Sequence, residues 1–125
     1  MNVKGKRVVF VLDPAKDFLF FESCREGLEA EGIVVGREVG WTGGMVNNLP
    51  DLVVMRGNVV DDLYGLRVLS ENVRIPPVLY FAYLEVIKAD IAEVTFVSPP
   101  DDLTAYPDVV LAHLKKVVSR EVRGE

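Results

Sequence analysis

Arg56 and Asp13 are the charged side chains of this sequence that close apolar runs. Arg56 ends Leu52-Val53-Val54-Met55, and its planar guanidinium could hold a phosphate or a carboxylate. Asp13 follows Val11-Leu12 and could pair with a neighbouring cation. The other candidates offer less. Asp61-Asp62 and Asp101-Asp102 are carboxylate pairs, but each lies within or beside a helix start, where acids suit the helix dipole. His113 has no second His, Cys or nearby Ser with which to build a metal set or a triad. Cys24 falls on an apolar stripe, the setting of a buried, inert thiol. Gly40-Trp41-Thr42-Gly43-Gly44 could let backbone amides approach an anion beside a stacking indole. It has neither GxGxxG nor Walker spacing, so a tight loop with a partly buried tryptophan is the plainer reading.

The elements that must position these residues follow from the apolar pattern. Runs at 8–12, 33–35, 52–55, 78–82 and 94–97 are rich in Val or aromatics and mostly lack alternation. Continuous runs of this length suit strands buried on both faces of a parallel sheet. Segments with helical spacing lie between them. The repeated β-α pattern predicts a three-layer α/β sandwich, with a five-stranded parallel sheet and helices on both faces.

The first helix is predicted over 15–30, stopping at Gly32. Its inward stripe is Phe21, Cys24 and Leu28, with Phe18 one turn earlier. Phe18-Leu19-Phe20-Phe21 puts apolar groups around much of one turn, so Leu19 or Phe20 is expected at the surface as a contact for a partner. The third helix is expected to press Leu63, Leu66, Val68 and Leu69 on the sheet. The last begins near Pro107 and buries Val110, Leu114, Val117 and Val118. The second must lie in 42–49, where Gly43 and Gly44 each cost about 1 kcal/mol relative to alanine. A short fourth helix is expected over 83–90.

The totals bound the rest. A chain of 125 residues makes one domain over 1–125 with a single real core. A net charge of -5, with scattered basic residues, argues against nucleic acid as a direct partner. A lone cysteine excludes an intrachain disulfide and fits a reducing cytosol. The polar start and short apolar runs lead us to expect neither a signal peptide nor a membrane span, and hence a cytoplasmic protein.

Pro50-Asp51-Leu52-Val53-Val54-Met55-Arg56 resembles the third strand of response-regulator receiver domains, which typically reads Pro-Asp-Leu-Val-Leu-Leu-Asp. The resemblance runs nearly the full chain, through strand order, lengths and end residues, and implies a flavodoxin-like, CheY-like fold. At the pocket positions it is degenerate. Asp13 matches one of the acids that receivers use for Mg²⁺, while Pro14 stands where a second is expected. Arg56 replaces the phosphoacceptor aspartate, Ala82 replaces the Thr or Ser, and Ser98 replaces the lysine before the retained Pro99. Thr95 stands at the switching aromatic.

One carboxylate beside a fixed cation is a poor magnesium site, and phosphoryl transfer depends on positioning and electrostatics that these residues do not supply. The resemblance therefore implies a pseudo-receiver: a signal-transduction module with no catalytic step, metal or cofactor. It would act by contact with a partner protein, a partner domain or a second copy. Phe20, Tyr83, Leu84, Ile87 and Tyr106 are the expected interaction surface, and Asp13 is expected either to pair with Arg56 or to leave it for an anion. A rival reading is a small anionic-ligand-binding protein or enzyme using Arg56, Asp13 and the glycine loop. A third is a receiver phosphorylated at a displaced acid such as Asp61.

Overall fold

In the computed structural model, which describes residues 2–57, 60–82, 91 and 93–122, the apolar runs become one all-parallel sheet. Its strands are β1 (Arg7–Val11), β2 (Val34–Glu38), β3 (Leu52–Arg56), β4 (Val78–Phe81) and β5 (Val94–Val97), in the order β2-β1-β3-β4-β5. The helices are α1 (Phe18–Glu29), α2 (Gly43–Asn47), α3 (Val60–Asn72) and α4 (Tyr106–Val122), with a 3-10 turn at Leu103–Ala105 leading into the last. This is the flavodoxin-like, CheY-like order. The register places Val11 beside Met55 and Arg56 beside Phe81, so the strand ends form one rim.

Burial explains why β1, β3 and β4 read as apolar runs, while β2 and β5, at the sheet edges, are only partly buried and depart from the expected burial on both faces. Val8, Phe10, Leu52, Val54, Leu79 and Phe81 face one layer, with α1 and α4. Val9, Val11, Val53, Met55, Val78 and Tyr80 face the other, with Met45 of α2 and Leu66 of α3. Successive side chains point to opposite faces, so a strand covered on both sides needs apolar residues at every position. The first layer is dense in aromatics: Phe20 meets Phe10, Phe81 and Tyr106 edge-on at 5.7, 6.0 and 4.7 Å. Gly27 lets α1 and α4 close on each other, since a Cβ there would stand 2.8 Å from the Pro107 Cβ.

Two helix faces differ from the sequence expectation. In α1, Phe20 is 1 % exposed and Phe18 52 %, so Phe18 leaves the stripe and Phe20 joins it. The helix begins at Phe18 rather than residue 15, and at 100° per residue Phe20, Phe21, Cys24 and Leu28 share one face while Phe18 lies well off it. In α3, Leu66 is buried and Val68 is exposed, because two residues along a helix is 200° of rotation. The side chain of Leu63 lies outside the described residues, as do Tyr83, Leu84, Ile87 and the helix expected over 83–90. Among the described residues no helix is long and apolar enough to cross a membrane.

Candidate functional site

The carboxyl ends of β1 and β3 flank the point where the strand order reverses, which is where doubly wound sheets open a crevice. Here it is an open cleft of about 940 Å³. Asp13 and Arg56 line it, as their positions at strand ends require. Lys16 and Asp17 reach it from the segment entering α1, and Pro100, Asp101, Leu103 and Tyr106 reach it from the segment entering α4. Pro14, Ala82 and Ser98 do not line it. Ala82 is fully buried in the second layer, with its N–H donating to the Val97 carbonyl at 3.0 Å. Pro14 and Ser98 are exposed.

Asp13 and Arg56 do not pair. Among the described residues the ion pairs belong to Arg25, with Glu22 at 2.6 Å and Glu29 at 3.3 Å. The Asp13 carboxylate turns back to accept the Ala15 N–H at 3.0 Å, and its carbonyl accepts the Asp17 N–H at 2.8 Å. These bonds shape the turn that starts α1 and hold Asp13 to its own segment. Arg56 leans instead over the aromatic layer, its guanidinium carbon 5.2 Å from the Phe20 ring centre and 5.5 Å from that of Tyr106. The attraction of a cation to a ring face takes the place of the expected lock.

Phe20 and Tyr106 were both expected at an interaction surface, and both are buried, at 1 % and 4 % exposure. They form the aromatic seat under Arg56. Exposed apolar groups occur next door: Phe18 and Leu19 on α1, and Leu103 on the 3-10 turn. Ser23 lies one turn beyond Leu19 and donates its hydroxyl to the Leu103 carbonyl at 3.3 Å, which ties the turn to α1.

This geometry sets the cost of deleting Arg56. Breaking a buried ion pair costs about 3–5 kcal/mol, whereas a partly exposed guanidinium over a ring contributes about 0.5–1 kcal/mol. Arg56→Ala is therefore expected to cost roughly 1–2 kcal/mol for its two rings in denaturant unfolding. A loss above about 3 kcal/mol would restore the ion-pair account.

The glycine-rich loop does not join the cleft, whose lining includes Val39 but none of residues 40–44. Thr42 caps the short α2 by accepting the Met45 N–H at 3.2 Å, and Trp41 packs against the second layer. Asp102 likewise caps the 3-10 turn, accepting the Thr104 N–H at 2.9 Å. Its hydrogen bonds to Thr104 hold its carboxyl below the usual carboxylate range. Asp61 and Asp62 begin α3, with side chains outside the described residues. His113 is half-buried, and loss of solvation, with Lys116 and Arg120 beside it, lowers its pKa.

Sequence reasoning missed Asp17, one of the cleft residues. It is 8 % exposed and stands at the N-cap of α1, yet its side chain makes no capping bond. A signal was present. Asp17 precedes Phe21, Cys24 and Leu28 by four, seven and eleven residues, so it continues the buried stripe of α1. Comparison with protein-family models, curated proteins and solved structures returned no significant match.

Proposed function

We propose that this chain is a receiver-like, cytoplasmic signalling module that works by contact with a protein partner and is not phosphorylated on aspartate. The observation that carries the reading is the placement of Arg56. In a sheet of order β2-β1-β3-β4-β5, the end of the central strand is where a receiver would present its acceptor carboxylate. Here that position carries a cation seated over two aromatic rings. An acyl phosphate cannot form on a guanidinium. Among the described residues no three His, Cys, Asp or Glu side chains converge to hold a metal ion, so the magnesium that would assist transfer to another acid finds no ready ligand set.

Without a chemical switch, signalling falls to a constitutive surface. The exposed group of Phe18, Leu19 and Leu103 is the patch we assign to the partner, which is a second protein or another copy of this chain. The anion-binding rival is weaker on charge, since Asp13, Asp17 and Asp101 outnumber Lys16 and Arg56 in the cleft. The deciding experiment is incubation with acetyl phosphate, or beryllofluoride, and Mg²⁺. Intact mass is expected to show no phosphoryl adduct, and amide resonances around 13–17 and 56 are expected to stay in place. A covalent adduct on any aspartate would overturn the reading and revive the displaced-acceptor alternative.

A further inference from the structure

The strongest unexplained group in the molecule is the Asp17 carboxylate. It is more than nine-tenths buried, occupies a capping position without capping, and accepts no hydrogen bond among the described residues. Among the described residues Trp41 Nε1 is the fully enclosed side-chain polar atom that lacks a partner. Asp17 is absent from that class, so its oxygens keep an opening, and the cleft is the cavity it lines. A largely buried carboxylate that meets no donor among the described residues is an arrangement that costs free energy unless a donor or a cation meets it.

Three features define what that is. The cleft carries three carboxylates, Asp13, Asp17 and Asp101, against two bases, Lys16 and Arg56. Neither base lies within ion-pair distance of an acid, since the pairs among the described residues are those of Arg25. The carboxylates do not converge as metal ligands do, so they suit a cation with some length rather than a bare ion. Val39 and Leu103 line the same space, are exposed, and offer apolar surface to a methylene chain.

We propose that the cleft binds a small organic cation of the diamine or basic amino-acid class, with one ammonium seated against Asp17 and Asp13 and its methylene stem along the apolar wall. Asp17 supplies the largely buried carboxylate that fixes the amine. The oxygen of Asp13 not used by Ala15 supplies a second acceptor. This site stands whether or not the chain is a signalling module, because it rests on the cleft alone.

The test uses the full chain at physiological ionic strength. Putrescine, L-ornithine and L-lysine are titrated by calorimetry and by amide shifts, with succinate, L-glutamate and inorganic phosphate as opposites. At least one cationic probe is expected to bind, with shifts confined to residues 13–17, 55–57 and 99–103. Asp17→Asn, which keeps the shape and removes the charge, is expected to weaken that binding at least about tenfold, in line with loss of a charge-assisted bond. Asp13→Asn is expected to weaken it less. Failure of every cationic probe at millimolar concentration overturns the proposal, as does binding confined to the anions. Shifts spread over the acidic surface overturn it from the wild type alone, and so does an undiminished affinity in Asp17→Asn. The acetyl phosphate experiment is indifferent to all of these outcomes, so the two proposals fail separately.

Discussion

Replacing Phe20 with alanine is expected to cost about 3–5 kcal/mol, the range for truncating a buried aromatic side chain. Phe20 is 1 % exposed and is the hub of the first layer, touching Phe10, Phe81 and Tyr106 edge-on and lying beneath the Arg56 guanidinium. Its removal opens a cavity that three rings border, and these rings are fixed by β1, β4 and α4, so the site cannot collapse easily. Domains of this size hold about 5–15 kcal/mol in total, so the variant is expected to lose a large share of that stability and to unfold at markedly lower denaturant. Leu19→Ala is the control. Leu19 is the adjacent residue, apolar and 68 % exposed, and its truncation is expected to stay within about 0.5 kcal/mol. Equilibrium unfolding in urea measures both. Equal costs for the two variants would mean that α1 is rotated from the position described here.

Cys24 carries the second large effect. The thiol is fully buried, and loss of solvation pushes its pKa up from 9.0 to about 12, against a smaller opposing pull from the Arg56 charge. At pH 8 the thiolate fraction in the folded protein is then about a thousandfold below that of an unperturbed thiol. Alkylation by iodoacetamide is expected to be slower than in urea-unfolded chain by at least about that factor. Modification at a comparable rate in both states would show that the thiol is open to solvent.

The same shift has a consequence for stability. The folded pKa is the higher one, so the native state binds the proton more tightly than the unfolded chain does. Its contribution is fully present below pH 9 and is lost as pH rises from 9.0 through about 12. The loss runs at about 1.4 kcal/mol per pH unit. Tyrosines and lysines titrate in the same window, so the measurement is a difference: unfolding free energies of the wild type and Cys24→Ala from pH 8 to 11. The wild type is expected to fall more steeply. Parallel curves would refute the assignment.

Most of the fold could be read along the chain, and the reason is local. The three inner strands, β1, β3 and β4, are covered on both faces, so each appears as an apolar run that needs no knowledge of its neighbours, whereas the edge strands β2 and β5 stay partly exposed. α4 was legible in the same way, with Val110, Leu114, Val117 and Val118 buried at helical spacing. The phase of α1 was not. Four consecutive apolar residues, Phe18 to Phe21, leave a periodicity argument nothing to discriminate, and the choice fell to the start of the helix and the aromatic neighbours waiting in β1, β4 and α4. The cleft was half legible. Asp13 and Arg56 were found because they end strands, whereas Lys16, Asp17 and Leu103 come from connecting segments whose course depends on how α1 and α4 settle on the sheet.

What the sequence determined by itself is therefore the parallel α/β scaffold and the identity of the groups at its rim, including the cation that closes β3. Those follow from residue type and from the two periodicities of strand and helix. What only the tertiary structure decided is the direction each rim group takes. Asp13 is drawn back to its own turn by the Ala15 N–H, and Arg56 is drawn over Phe20 and Tyr106. The pair that adjacency on neighbouring strands suggests does not form, because each partner meets a nearer one in space that no spacing along the chain reveals.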